Sequence, residues 1–331
     1  MALQEKCDIR QSGTDKSCSH LPYGQSRYYS LDYYLKERFG HSLVKLSLNG
    51  GMTCPNRDGT IGRGGCIFCS AGGSGEHAAP MKYTITQQLA YEKRQLGEKA
   101  IGKKYIAYFQ AFTNTYGKSA EELRDMYTEA IMDSDVEILS IATRPDCLPE
   151  EIIELLRECS RIKPVWVELG LQTMHSETAA LIRRGYELPA FEQAVMKLSQ
   201  VGIAVIVHVI LGLPGETEEM MLETISYLNR LPIDGIKLQL LHVLTGTDLA
   251  KMYENGSFQV LEQDAYVNLI CNCIGHLRED IVIHRLTGDG PKELLIAPTW
   301  SRDKKQILNQ IRHQLKADGI VQGKLRQADR I

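Results

Sequence analysis

Cys54, Cys66 and Cys69 stand in the stretch CPNRDGTIGRGGCIFC with the spacing C-x11-C-x2-C. Structural zinc sites ordinarily use four protein ligands, often as two close pairs. Here one close pair is joined by a single upstream cysteine, and no fourth Cys follows nearby. Three thiolates leave one metal position open, which suits an iron–sulfur cluster with one iron free for a small ligand. The glycines of the loop let it wrap tightly, and Phe68, inside the close pair, can shield one side of a cluster from water. The spacing favours a metal site over three reduced thiols in a glycine-rich turn, without fixing the metal.

Such a loop needs a scaffold. Apolar runs predict strands at 44–48, 105–110, 136–142, 165–170, 203–211 and 235–241, separated by helical patterns at 86–96, from Ser119, and at 149–159, 176–184, 190–201 and 217–228. Continuous apolar strands alternating with helices argue for a parallel sheet covered by helices. The expected fold is therefore α/β, a partial (β/α)6 TIM-type barrel with a small C-terminal extension. The expected divisions are a leader and aromatic helix (1–40), the barrel (41–246) and an extension with a basic tail (247–331). Residues 1–20 read as a polar leader, so Cys7, Cys18 and His20 receive no role. Tyr28, Tyr29, Tyr33 and Tyr34, with Leu31 and Leu35, recur at helical spacing within 23–39 and read as a packing face. Further on, a helix at 264–277, a short strand at 281–284 and a helix at 303–315 are expected. The chain from Arg302 onward carries eight Lys/Arg against three Asp, ordinarily a solvated surface but also a means of contacting phosphates.

In a barrel of this kind the working face lies at the C-terminal ends of the strands, and each predicted strand ends in polar residues. After the cysteine loop come Gln110 to Tyr116, including Asn114, then Thr143-Arg144-Pro145-Asp146, then Glu168 to Gln172. His208 lies on the fifth strand, which runs into Gly212-Leu213-Pro214-Gly215-Glu216, and the sixth ends in Gln239 and His242. One such end would be weak evidence; six, with the cysteines, point to one pocket.

The 331 residues hold 43% hydrophobic residues and a net charge of −3, ordinary for a soluble globular chain, with no global attraction to nucleic acid. There is no secretory signal and no apolar run long enough to span a membrane. The odd count of nine cysteines then points to a reducing cytoplasm.

CPNRDGTIGRGGCIFCS, VELGLQT…LIRRGY and VILGLPGET together resemble the radical S-adenosylmethionine (SAM) superfamily, over about Tyr28 to Trp300. The likeness is closest to a bacterial subfamily with this long first spacing. It is more distant to the radical SAM domain of the elongator catalytic subunit, a tRNA wobble-uridine modifier, and to oxygen-independent coproporphyrinogen oxidase. The resemblance implies that Cys54, Cys66 and Cys69 hold a [4Fe–4S] cluster whose open iron binds SAM. One electron, from a reductant protein such as flavodoxin or ferredoxin, would cleave SAM to methionine and a 5′-deoxyadenosyl radical that takes a hydrogen from substrate. Gln172 and Arg184 match a Gln-x11-Arg pair of the relatives, Arg184 facing the SAM carboxylate. Glu168 matches an acid of the elongator branch, with structural hydrogen bonding as the alternative. Gly212, Leu213 and Pro214 would bring backbone near the adenine. Gln110 and Asn114 occupy the place of a glycine-glycine-glutamate motif absent here, and Arg144 completes the implied set. His208 stands where the porphyrin-pathway relative has an aspartate; a lone histidine in an apolar strand is more often a satisfied core residue.

Cys271 and Cys273 fall about 200° apart on a helix and do not converge, while Cys147 and Cys159 read as core thiols, so no second cluster is expected. Arg285 to Asp289 either closes the barrel mouth or forms a capped turn. By resemblance the expected substrate is tRNA at the wobble-uridine side chain. A small-molecule radical SAM reaction and a non-enzymatic metal-bearing scaffold are the alternatives.

Overall fold

The protein is described by a computed structural model covering residues 21–288 and 290–326. Cys7, Cys18, His20 and Asp289 lie outside the described residues. The central feature is a sheet of seven strands, all parallel. β1 (Leu43–Leu48), β2 (Lys104–Phe109), β3 (Val136–Thr143), β4 (Val165–Gln172), β5 (Ala204–Leu211) and β6 (Gly235–Leu240) lie side by side in chain order. A short antiparallel pair, β7 (Val243–Leu244) with β9 (Leu295–Ala297), sits apart, and β8 (Val282–Arg285) adds the seventh parallel strand beside β6. The sheet curls into a partial barrel of the TIM type. Among the described residues ten α-helices accompany it: α1 (Leu31–Phe39), α2 (Ile85–Leu96), α3 (Ala120–Met132), α4 (Glu150–Ser160), α5 (Ser176–Leu181), α6 (Leu188–Gln200), α7 (Glu218–Leu228), α8 (Asp248–Glu254), α9 (Gln263–His276) and α10 (Lys304–Ala317).

The strands are strands because Val, Ile, Leu and aromatic residues dominate them and both faces are covered, as a parallel sheet requires. Several helices begin where a side chain takes up free N–H groups. Thr84 and Ser119 each accept from the amide three residues on, and Gln87 and Glu122 reach back to the cap amides, so α2 and α3 both open with capping boxes. The apolar faces of these helices, including Leu123, Tyr127 and Ile131 of α3 and Phe191, Val195 and Leu198 of α6, fill the layer between helices and sheet. At the N-terminal end of the barrel a separate cluster of Leu35, Leu43, Ile106, Ile138, Trp166 and Ile206 closes the bottom under α1.

Two expectations change. The aromatic face at 23–39 is helical only from Leu31, capped by Ser30. Gly24, at φ +65°, turns the preceding chain, and the Tyr29 carbonyl accepts from Ile283 at 2.7 Å, so this backbone lies alongside β8. Tyr23, Tyr29 and Tyr33 still pack on one another, with centroids 5.2 to 6.2 Å apart. Second, the part beyond residue 246 is not only an extension, because β8 joins the barrel sheet through the register Gly235↔Val282 and Ile236↔Ile283. The expected short strand at 281–284 does form, as β8, but its brevity and polar end gave no sign that it joins the barrel sheet. The connection through β7, α8 and α9 also hides the alternation.

Phe191→Ala, at a position with no exposure, should destabilise the chain by about 3–5 kcal/mol through lost burial and a cavity. Ile162→Ala, at a position 56% exposed, should stay within about 0.5 kcal/mol. Denaturant unfolding of the two variants checks this; equal effects would contradict the packing described.

Candidate active site

At the C-terminal ends of the strands lies a cavity of about 660 Å³. Its walls include Cys54, Cys66, Cys69 and Phe68 from the loop after β1, and Gln110, Arg144, Gln172, Arg184 and His242 from later strand ends. Lys45, Tyr108, Glu168, His208 and Gln239 reach it from within the strands.

The cysteine loop is held from several directions. The Cys54 carbonyl accepts from the amides of Arg57 at 2.8 Å and Asp58 at 3.1 Å, and Cys69 N–H donates to Cys66 O at 3.0 Å. The Arg57 guanidinium donates to the carbonyls of Cys69, at 2.9 Å, and of Ser70. Gly65 is required here: its φ is +82°, and a Cβ would lie 2.8 Å from Arg57 Nε. Asn56 joins this loop to the one after α5, donating to Arg183 O and standing 3.5 Å from the Cys66 sulfur. Burial, reinforced by Cys69, pushes the Cys66 thiol up to about 11, and burial raises Cys69 as well. A cation must therefore displace protons to hold these thiolates.

The donor set discriminates between metal centres. Among the described residues no three His, Cys, Asp or Glu side chains converge as a single chelated ion requires. Three cysteines on the wall of one cavity, with no fourth cysteine among the described residues that line it, fit a polynuclear iron–sulfur cluster better than a mononuclear zinc site.

The cavity floor is organised by Glu168, whose side chain has no exposure. Its carboxylate accepts from Lys45 Nζ and Ser140 Oγ, both at 2.9 Å, from His208 Nε2 at 2.7 Å, and from Lys237 Nζ. Both lysine ammoniums lie 4.6 Å from the Tyr108 ring centroid. Burial alone would raise the Glu168 pKa, but Lys237 and Lys45 hold it well below the carboxylate range. Burial and the Lys237 charge lower His208 to about 4, so its ring is neutral and donates from Nε2. The strand register sets this grouping, with Tyr108 opposite Ser140 and His208 opposite Lys237.

The remaining expected residues divide. Gln110, Arg144, Gln172 and Arg184 reach the cavity, Gln172 from a left-handed backbone at φ +68° beside a register shift in β4. Arg184 is largely committed to main chain: Nη1 donates to Leu171 O at 3.1 Å and Thr173 O at 2.6 Å, while Nε and Nη2 donate to Tyr186 O at 3.2 and 3.1 Å. Only one of its five N–H groups is left for another acceptor. Arg144 makes a bidentate pair with Asp146 at 2.9 and 2.8 Å and donates to Arg184 O at 2.8 Å. The two guanidiniums lie 5.1 and 4.4 Å from the Tyr186 ring centroid. Asn114 is off the cavity, tying β2 to β3 through Phe109 O and Ala142 O at 3.1 and 2.9 Å. Gly212, Leu213 and Pro214 are also off it; Gly212 turns at φ +87° and Leu213 packs in an apolar cluster under the cysteine loop.

Asn56, Arg57, Lys45, Tyr108, Tyr186 and Lys237 were not singled out from sequence. Lys45 and Lys237 did carry a signal, a lysine in the middle of the apolar strands LVKLSL and GIKLQL. Cys147, Cys159, Cys271 and Cys273 are buried, as core thiols should be. No helix among the described residues is long and apolar enough to cross a membrane.

A family model described as the Radical SAM superfamily matches residues 56–228, and one described as the Radical_SAM C-terminal domain matches 233–317. The chain is 45% identical to the uncharacterized protein YtqA of Bacillus subtilis over 309 residues, 93% of this chain and 96% of that one. It is 27% identical to the tRNA uridine(34) acetyltransferase of Methanocaldococcus infernus over 162 residues, 48% of this chain and 30% of that protein. In fold it is similar to the archaeal Elp3 of Methanocaldococcus infernus, with a TM-score of 0.64 at 17% identity, over 85% of this chain and 64% of that one.

Glu168→Gln leaves the buried Lys237 and the partly buried Lys45 facing a neutral amide and should cost roughly 3–5 kcal/mol in denaturant unfolding. Adding Lys237→Met should recover part of this, and additive losses would contradict the coupling. Because His208 stays neutral where the unfolded chain takes up a proton, stability should fall as pH drops from 6.5 towards 4. His208→Asn should flatten that slope by about one proton; an unchanged slope would mean the ring is not neutral.

Proposed function

This chain belongs to the radical SAM superfamily, and from that premise we propose that it is a cytoplasmic tRNA-modifying enzyme acting on the side chain of wobble uridine. Its cofactors are a [4Fe–4S] cluster and S-adenosylmethionine. The observation that carries the chemical part is the set of Cys54, Cys66 and Cys69 on the wall of one strand-end cavity, with no fourth cysteine among the described residues that line it. When bound, the cofactors supply one-electron cleavage of SAM and hydrogen abstraction from a substrate.

The chain's own residues position and exclude. Cys54, Cys66 and Cys69 would hold the cluster, with Arg57 and Asn56 fixing their loop. Phe68, which lines the same cavity, would shield one side of the cluster from water. The pair of Arg144 and Arg184 around Tyr186 holds the loop after α5 against Asn56. The Glu168 floor keeps the cavity polar and rigid beneath the substrate. A reductant protein such as flavodoxin or ferredoxin supplies the electron.

The tRNA reading is supported by the likeness to a tRNA uridine(34) acetyltransferase. That likeness spans less than a third of the relative, so its acetyl transfer is not carried over. A second support is α10, which buries Ile307, Ile311 and Leu315 and leaves Lys305, Arg312 and Lys316 exposed for phosphates.

The test is anaerobic formation of 5′-deoxyadenosine by reconstituted protein with SAM and a reductant. It is run with and without tRNA from cells lacking the enzyme, and tRNA nucleosides are followed by mass. A tRNA-dependent rise with a shifted nucleoside mass is expected, and Cys66→Ala should abolish both cluster absorbance and SAM cleavage. Cleavage indifferent to tRNA would redirect the substrate assignment; a colourless protein holding zinc alone would remove the enzymatic one.

A further inference from the structure

A side-chain donor stands at the Cys66 sulfur: the Asn56 amide, its nitrogen 3.5 Å away. The same nitrogen donates to the Arg183 carbonyl in the loop after α5. That second contact fixes which way the amide points. With the amide oxygen in that place two acceptors would face each other, so Nδ2 must be the atom there. An amide nitrogen carries two hydrogens. One goes to Arg183, and the other is left for the sulfur.

The amide is built into the loop from all sides. Asn56 is 5% exposed, and its own carbonyl accepts from the Gly65 amide at 2.9 Å. The carbonyl before it, of Pro55, accepts from Ile61 and Gly62 at 2.8 and 3.2 Å. A Cβ on Gly62 would lie 2.6 Å from Asn56 Oδ1, and one on Gly185 would lie 3.1 Å from it. Two glycines thus let both loops close on the amide. A brace between these loops does not explain the residue, because the Ile67 amide already joins them through the Ile182 carbonyl at 3.2 Å. A buried amide also needs a partner for each hydrogen, and here the second partner is a cysteine sulfur.

We propose that Asn56, acting through Cys66, sets the reduction potential of the cluster by an N–H···S bond to the Cys66 thiolate. This rests on the reading of the three cysteines as cluster ligands. An electron added to an iron–sulfur centre puts more negative charge on its thiolates. A fixed donor at one of them therefore stabilises the reduced state more than the oxidised one and raises the potential. The chain so brings its cluster within reach of a protein reductant, and it does this with a neutral group that adds no net charge beside the cofactors.

The experiment is a redox titration of the full chain, reconstituted anaerobically without substrate and followed by the paramagnetic resonance of the reduced cluster. Asn56→Leu keeps the size of the side chain and loses the donor; Asn56→Asp keeps its shape and sets an acceptor at the sulfur. Losing one hydrogen bond should lower the reduced-to-oxidised ratio at a fixed potential by up to about tenfold in the Leu variant, about 59 mV for a one-electron couple. The Asp variant should fall at least as far. Only loaded clusters give a signal, so a purely structural role would reduce the amount of cluster and leave the potential of the remainder unchanged. That outcome overturns the proposal, as does a Leu variant with a raised potential. A second measurement needs no variant. With nitrogen-15 in the asparagine side chains, the reduced wild-type cluster should show a hyperfine coupling to that isotope, and its absence overturns the proposal even where neither variant takes up a cluster. Wild-type protein that takes up no iron–sulfur cluster overturns the ligand reading and this inference together; a loaded wild type with unshifted variants overturns this inference alone.

Discussion

A single carboxylate, Glu168, sits without exposure where five strands turn side chains inward, and the site above depends on it. Lys45 from β1, Ser140 from β3, His208 from β5 and Lys237 from β6 all donate to it. Removing two ammoniums and a carboxylate from water is costly, and it is tolerable only with close geometry and nearly every donor met. That demand fixes strand register across the barrel: a slip of one residue would turn Lys45, Lys237 or Glu168 outward into the apolar helix layer. The polar floor is therefore a weak source of net stability and a strong constraint on which register the sheet adopts.

Above this floor the cysteine loop is braced by side chains on backbone. Arg57 holds the carbonyls of Cys69 and Ser70, Asn56 bridges to Arg183, and Arg184 spends four of its donors on main-chain carbonyls. The SAM contact suggested for Arg184 by its motif thus reduces to its one remaining N–H. The guanidinium does more as the pin that shapes the loop carrying Tyr186. Residues placed by motif alone can reach the right neighbourhood for a different physical reason.

The two ends of the barrel are finished differently. The N-terminal end is plugged by α1 and an apolar cluster around Trp166, leaving the C-terminal end as the open face. There, β8 and its turn bring the chain beyond residue 246 back to the cavity, so the region matched by the C-terminal family model contributes both a sheet strand and part of the site wall.

The alternation of apolar strands and helices was legible in the sequence, because a parallel sheet buried on both faces must be written as continuous apolar runs. That the three cysteines share one cavity wall was legible too, since a single glycine-rich loop carries all three. The mid-strand lysines were visible but silent: a lysine in an apolar strand signals a buried charge without naming its partner. Only tertiary structure decided that Lys45 and Lys237, 192 positions apart in the sequence, share one carboxylate. It also decided that β8 completes the sheet, that Asn114 braces strands while Gln110 faces the cavity, and that Gly185 closes on Asn56. Each of these depends on strand register and on contacts between distant segments, and local residue type encodes neither.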